Sequence, residues 1–426
     1  MRSIIIEGGS PLAGEVRVEG AKNSALKLMA AALLATGTSR LRNVPDISDV
    51  HTMAEVLAGL GARVTRTDHE LAIDTSGVTS FEAPYEMVAK MRASIVVLGP
   101  LIARYGQAKV AMPGGCAIGS RKIDMHVRGL ESLGVRVAYD HGVIHATAPE
   151  GLRGAPVVLD FPSVGATENL LMAAVLAEGT TTIENAAREP EIADLADFLS
   201  SMGARIEGAG SGEITVEGVE RLSPAEGHSV VGDRIEAGTF LVAGAMARGP
   251  VTVRGFDPAH LEMLLFKLGQ AGCQLDVHSD GVTVTGPARP RSVDIQTLPH
   301  PGFPTDMQAQ FMAFMSIADG SCVITENVFE NRFMFADELG RMGADIRIEG
   351  HHALVRGAGA LSGAPVSSPD LRAGAALVIA GLVADGATKV MDVHHIERGY
   401  ERFVEKLAAL GADIKVIEEE GEKHAR

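Results

Sequence analysis

Leu60-Gly61-Ala62-Arg63-Val64 returns in altered form five more times: LGVRV at 133–137, MGARI at 202–206, AGCQL at 271–275, MGADI at 342–346 and LGADI at 410–414. Successive glycines of the series lie 73, 69, 69, 71 and 68 residues apart. An apolar run ending in glycine stands ahead of each copy. These runs are NSALKLMAAALLATG to Gly37, ASIVVLGPLIARYG to Gly106, ATENLLMAAVLAEG to Gly179, EAGTFLVAGAMARG to Gly249, DMQAQFMAFMSIADG to Gly320 and RAGAALVIAGLVADG to Gly386. Two independent landmarks with one period mark six repeats.

Each repeat reads alike. A helix apolar nearly all round, closed by a C′ glycine, has to be buried on every side. A strand follows, such as TTTIENA or SCVITENV, then an amphipathic helix such as EIADLADFLSSM, then strands that alternate, as GEITVEGV does. The spacing predicts six βαβαββ units in an α/β fold whose helices pack together with the sheets outside them, an inside-out α/β barrel. Six units exceed one core, so three per domain are expected. LSPAEGHSVVGDR, residues 222–234, lies where the third repeat meets the fourth and reads as a crossover. The first strand has no place in repeat one and is expected to complete the other domain.

The chain has 426 residues, 46% hydrophobic and 22% charged, with three cysteines. An odd, sparse cysteine count argues for a reducing compartment, and no apolar run approaches a membrane span or a signal-peptide core. A cytoplasmic protein without membrane partners is expected. Net charge is −16 and tryptophan is absent, so nucleic-acid binding is not expected. There is no HxxxH or CxxC, no GxGxxG after a strand and no P-loop, which predicts neither metal nor nucleotide cofactor. The pairs His351-His352 and His394-His395, read as strand residues, would point to opposite faces and could not chelate.

The buried helices open on Lys22-Asn23, Arg92, Ser163-Val164-Gly165, Arg234, Thr305-Asp306 and Asp370-Leu371-Arg372. A cation at a helix N-terminus costs a few tenths to about 1 kcal/mol unless an anion offsets it. Four of these six helices open on one, which predicts a shared anion site at the helix ends; the plainer alternative is pairing with surface carboxylates. Arg121, Arg332 and Arg398 lie in similar connections, and such a set suits carboxylate and phosphate together. Asp306 is a candidate acid–base group, or an ordinary N-cap. Cys116, between glycines and close to Arg121 and Lys122, is a candidate reactive thiol. Cys273 and Cys322 read as core.

Together GAKNSALKLMAAALLA, MRASIVVLGPL, PGGCAIGSRKIDMHVRGLE, SVGATENLLMAA, REPEIADLADFL, DRIEAGTFL, FPTDMQAQF, ENVFENRFMF, DLRAGAALVIAG and HHIERGYER resemble the UDP-N-acetylglucosamine 1-carboxyvinyltransferases over essentially the whole chain. The resemblance implies the enolpyruvyl transferase fold. It assigns residues 1–21 plus 231–426 to one domain, on the phosphate and carboxylate side, and 22–230, with the Cys116 loop, to another, the site lying in a cleft between them. It implies transfer of an enolpyruvyl group from phosphoenolpyruvate to the 3-hydroxyl of UDP-N-acetylglucosamine, the first committed step of peptidoglycan synthesis. By motif, Lys22 and Asn23 would meet phosphoenolpyruvate, and Arg92, Arg121, Lys122, Ile123, Asp124 and Met125 would border the UDP-sugar. Asp306 and Val328 would stand at the sugar hydroxyl. Arg121, Arg372 and Arg398 would join Lys22 on phosphate and carboxylate, with Arg332 and Asp370 beside them. Cys116 matches the loop cysteine that gives the proton and is alkylated by fosfomycin. At Phe161 other members carry a lysine that touches the nucleotide, a departure here.

The rivals are 5-enolpyruvylshikimate-3-phosphate synthase, which lacks the cysteine loop, and a non-catalytic anion-binding scaffold, which needs no combination of Cys116, Asp306 and clustered cations.

Overall fold

The computed structural model describes residues 2–83, 86, 88, 91–112, 119 and 123–418. The chain divides into two compact units. The N-terminal unit holds the described residues of 20–112 and 123–231, and the C-terminal unit holds residues 2–19 and 232–418.

In the N-terminal unit the helices are α1 (Lys22–Ala31), α2 (Ser48–Gly59), α3 (Leu98–Tyr105), α4 (Asp124–Ser132), α5 (Val164–Ala174) and α6 (Pro190–Ser201). In the C-terminal unit they are α7 (Arg234–Ala247), α8 (Glu262–Gln270), α9 (Gln308–Met315), α10 (Ala336–Arg341), α11 (Leu371–Gly381) and α12 (Phe403–Ala409). The apolar runs become the inner helices. All of α7 and α9 is buried, and α11 is buried from Arg372 on; the three pack against one another. Gly238 permits the approach, since a Cβ there would lie 2.8 Å from Met307 Sδ. Phe240, Phe311 and Phe314 on these helices are fully buried in the same core, each worth roughly 1.5–3 kcal/mol of burial. α1, α3 and α5 occupy the corresponding core of the N-terminal unit.

Small sheets cover the helices, three in each unit among the described residues. The sheet of Pro156–Val158, Thr180–Glu184, Glu213–Glu217 and Arg205–Glu207, in that spatial order, shows the pattern. Its first pair is parallel (Val157 opposite Ile183) and the others antiparallel (Ile183 opposite Ile214, Ile206 opposite Val216). Thr181 and Ile183 point inward, as alternation requires. Strands remote in sequence complete other sheets. His228–Ser229 runs parallel to Thr38–Arg42, and Gly14–Arg17 runs parallel to Val251–Arg254. Arg2–Glu7 lies between Ala387–Met391 and Asp413–Glu418, antiparallel to both.

The recurring Leu-Gly-Ala signature is a helix stop. Gly61, Gly134, Gly203, Gly272, Gly343 and Gly411 all have φ between +91° and +107°. The next residue's N–H then reaches back to the last helical leucine: Ala62 to Leu57, Val135 to Leu130, Ala204 to Leu199, Cys273 to Leu268, Ala344 to Leu339 and Ala412 to Leu407, each at 3.0–3.1 Å. This is the Schellman closure, which satisfies carbonyls the helix would otherwise orphan.

The glycines ending the apolar runs differ from expectation. Only Gly106 directly caps its α-helix in the left-handed region. At Gly37, Gly179, Gly320 and Gly386 the α-helix has ended several residues earlier, and the glycine, at positive φ, turns the chain into the next strand. At the fourth run Arg248 (φ +66°), not Gly249, takes that conformation.

Candidate active site

In the N-terminal unit, α1 begins at Lys22. Its N-cap, Ala21, has no side chain to offer, and the Ala21 N–H bonds Val231 O at 2.6 Å. The cation at this positive helix end is met by a carboxylate: Lys22 Nζ lies 2.6 Å from Asp49 Oδ2, both buried. Asp49 belongs to the first turn of α2, where an acid is favoured by the helix dipole. Asn23 follows, half-buried. Ser24 donates to Asp194 on α6, which also accepts His228 Nε2 at 2.7 Å and the Val231 N–H at 3.2 Å. One carboxylate thus joins α1, α6 and the segment leaving the unit.

At the opening of α4, Asp124 receives Arg128 Nη2 at 3.0 Å, and the same nitrogen bonds Asp160 at 2.6 Å. Ile123 and Met125 are half-buried beside it, and Phe161 is 38% exposed. Arg92 opens the 3-10 turn Arg92–Val97. Its side chain, together with Cys116, Arg121 and Lys122, lies outside the described residues.

In the C-terminal unit, Asp306 lies in the 3-10 turn Thr305–Met307 that leads into α9. Arg332 Nη2 is 2.8 Å from its Oδ1 and Arg372 Nη2 3.3 Å from its Oδ2. The guanidinium side chains are 3% and 4% exposed and the carboxylate 25%, so Asp306 sits on two buried cations and is itself partly exposed. Asp306 does not cap the helix, since no side-chain cap serves that turn. Asp370 is the N-cap of α11 and accepts the N–H groups of Arg372 and Ala373 at 2.8 and 3.1 Å.

Arg372 also lies 5.3 Å from the Tyr400 ring centre. Burial works against its charge, but Tyr400, Asp306 and Asp233 outweigh burial and hold its pKa above the ordinary arginine value. Arg398 ends the 3-10 turn Val393–Arg398 and is half-buried. Val328 belongs to a turn built on Glu326, whose buried carboxylate accepts Thr297 and Thr305 hydroxyls at 2.8 and 2.9 Å and the Val328 N–H at 2.8 Å.

Sequence reading therefore selected Lys22, Asp306, Val328, Arg332 and Arg372 but not Asp49 on Lys22, Glu326 on Val328 or Tyr400 beside Arg372. Lys22 and Arg372 do meet carboxylates, Asp49 and Asp306, but these are buried and half-buried rather than the surface groups of the plainer alternative. The histidine reading needs correction. His394 and His395 lie in a 3-10 turn and His351 in a turn, and within each pair the tilted rings lie side by side, their centres 4.0 and 3.9 Å apart. Among the described residues no three His, Cys, Asp or Glu side chains gather as metal ligands. No helix among them is long and apolar enough to cross a membrane.

The model of the EPSP synthase (3-phosphoshikimate 1-carboxyvinyltransferase) family matches residues 6–407. The UDP-N-acetylglucosamine 1-carboxyvinyltransferase of Corynebacterium jeikeium is 56% identical, covering 98% of this chain and 99% of the relative. UDP-N-acetylglucosamine 1-carboxyvinyltransferase 2 of Carboxydothermus hydrogenoformans is 54% identical, covering 98% and 100%. The chain belongs to the UDP-N-acetylglucosamine 1-carboxyvinyltransferase family. Among solved structures, the enolpyruvyl transferase NikO from Streptomyces tendae superposes with a TM-score of 0.88 at 27% identity, over 97% of this chain and 98% of the other. EPSP synthase from Acinetobacter baumannii gives 0.75 at 18% identity, over 98% and 100%, which shows the shared α/β enolpyruvyl transferase fold. In this chain, Asp306 with Arg332 and Arg372, and Lys22 with Asp49, are polar constellations at the openings of buried helices.

Proposed function

We propose that the chain transfers the enolpyruvyl group of phosphoenolpyruvate to the 3-hydroxyl of UDP-N-acetylglucosamine and releases phosphate, the first committed step of peptidoglycan synthesis. The observation that carries this reading is the Asp306 carboxylate set on two buried guanidinium groups at a helix opening, within a chain 56% identical to a named member. In this reading the units are inside-out α/β barrels of three βαβαββ repeats each, one carrying the Cys116 loop and the other the phosphate and carboxylate side. The cytoplasm is the compartment that fits free, buried Cys273 and Cys322.

The reaction is an addition followed by an elimination. The sugar oxygen bonds to C2 of phosphoenolpyruvate while a proton adds to the C3 methylene, giving a tetrahedral phospholactoyl species. A proton then leaves C3, the bond from C2 to the phosphate oxygen breaks, and the enol ether and phosphate remain. Asp306 stands at the sugar hydroxyl as proton acceptor, oriented by Arg332 and Arg372. Lys22, Arg372, Arg398 and Arg121 hold carboxylate and phosphate, where fixed cations stabilise developing charge. Asn23 meets the same substrate. Arg92, Lys122, Ile123, Asp124 and Met125 border the UDP-sugar, Val328 lines the hydroxyl end and Asp370 fixes the turn that presents Arg372. Cys116 supplies the proton to C3.

Fosfomycin tests the assignment. With UDP-N-acetylglucosamine present it should add to Cys116, seen as a mass increase on the peptide spanning 113–121. A Cys116 peptide that stays unmodified while another cysteine reacts would overturn it.

A further inference from the structure

The helix carrying Lys22 and Asn23 is held by a carboxylate from each of three neighbouring helices. Asp49 of α2 meets Lys22, Asp194 of α6 meets Ser24, and Glu168 of α5 meets Lys27. The third pair is unusual. A lysine inside a helix that is otherwise buried and apolar is costly, and Lys27 is 7% exposed. Its Nζ donates to Asn23 O at 2.8 Å and lies 3.2 Å from Glu168 Oε1. Glu168 is fully buried, and among the described residues neither of its oxygens accepts a hydrogen bond, so the Lys27 charge is what offsets its own. Two well-packed apolar side chains would fill this place at less cost. What the ion pair adds is a bond from a fixed charge to the backbone of the turn that presents Asn23.

We propose that Glu168, acting through Lys27, is a positioning residue for Lys22 and Asn23, and that a proton taken up by Glu168 loosens the first turn of α1. This rests on the functional reading above. The charged groups that face Glu168 are Lys27 from α1 and, from the start of α6, Glu189 and Glu191. On α5 itself the next residue, Asn169, bonds His126 of α4 at 2.9 Å. Burial, with the two glutamates, pushes the Glu168 carboxyl up to about 7 against the pull of Lys27. The pair therefore changes charge near neutral pH.

The test compares the wild type with Glu168→Gln, Lys27→Met and the double variant K27M/E168L. The wild type should lose about five- to tenfold in kcat/KM for phosphoenolpyruvate between pH 8 and pH 6, and Glu168→Gln should remove the inflection near 7. Lys27→Met should lower kcat/KM for phosphoenolpyruvate about tenfold at pH 8, leaving KM for the UDP-sugar within about twofold. The double variant, apolar and isosteric, should keep the wild-type melting temperature without regaining kcat/KM. Amide hydrogen exchange of the peptide covering 18–30, read without substrate, should rise in Lys27→Met at the first turn of α1. It thus tests the positioning even if the functional reading fails. An inflection unchanged in Glu168→Gln, wild-type kcat/KM in K27M/E168L, or unchanged exchange at that turn would each overturn the proposal.

Discussion

Lys22 stands at the end of a helix where a cation is disfavoured, and it is held there by Asp49. In the reading proposed here, an anionic substrate shares that cation. Lys22→Ala should lower kcat/KM for phosphoenolpyruvate at least about 10²-fold, the scale of losing one fixed donor to developing charge. It should also lower the melting temperature, because the buried Asp49 loses its ion pair with Lys22. Steady-state kinetics with a thermal melt check both, and a variant within about threefold of wild type would remove Lys22 from the site. At this scale the sequence was informative where a residue broke a rule. Lys22, Arg234 and Arg372 open helices against the dipole and were found for that reason. Asp49 obeys the rule, as an acid in a first turn, and nothing in the sequence separates it from Asp124 or Glu191. Glu326 and Tyr400 act through partners distant in sequence, so their roles emerge only when the fold brings those partners together.

Among the elements, the positions of the Schellman glycines and of the buried helices were legible, but not where those helices end. Gly203 isolates the cost of the turn: its φ is +107°, and a Cβ there would meet nothing within 4 Å. Gly203→Ala should therefore cost about 1–2 kcal/mol from backbone conformation alone, measured by urea unfolding. The C′ assignment for the glycines of the apolar runs held at Gly106 and failed at the others, because composition gives the end of an apolar stretch, not the last helical hydrogen bond. A second expectation concerns α7. Burial pushes the Glu236 carboxyl up from 4.5 to about 7, against Lys406 Nζ at 2.8 Å. The folded state then binds more protons than the unfolded one between these values. This contribution is complete below 4.5 and is lost as pH rises through about 7. Relative to wild type, Glu236→Gln should gain stability between pH 5 and pH 8. Denaturant titrations at both pH values would show it, and a constant difference would contradict it.

For the whole chain, period and apolar runs pointed to α/β units in series, and the described residues form five four-stranded sheets and one three-stranded sheet. The sequence could not say which partner each short strand takes. His228–Ser229 and Gly14–Arg17 are four residues or fewer, and their pairing is decided by the helices that bring remote segments together. Acceptor identity depends on the whole molecule: the matching family model is that of EPSP synthase, whereas relatives at 54–56% identity are UDP-N-acetylglucosamine 1-carboxyvinyltransferases. The decisive measurement is phosphate release from phosphoenolpyruvate with either UDP-N-acetylglucosamine or shikimate 3-phosphate as acceptor. Release with the UDP-sugar alone is predicted, while release with shikimate 3-phosphate alone, or with neither, would contradict the account.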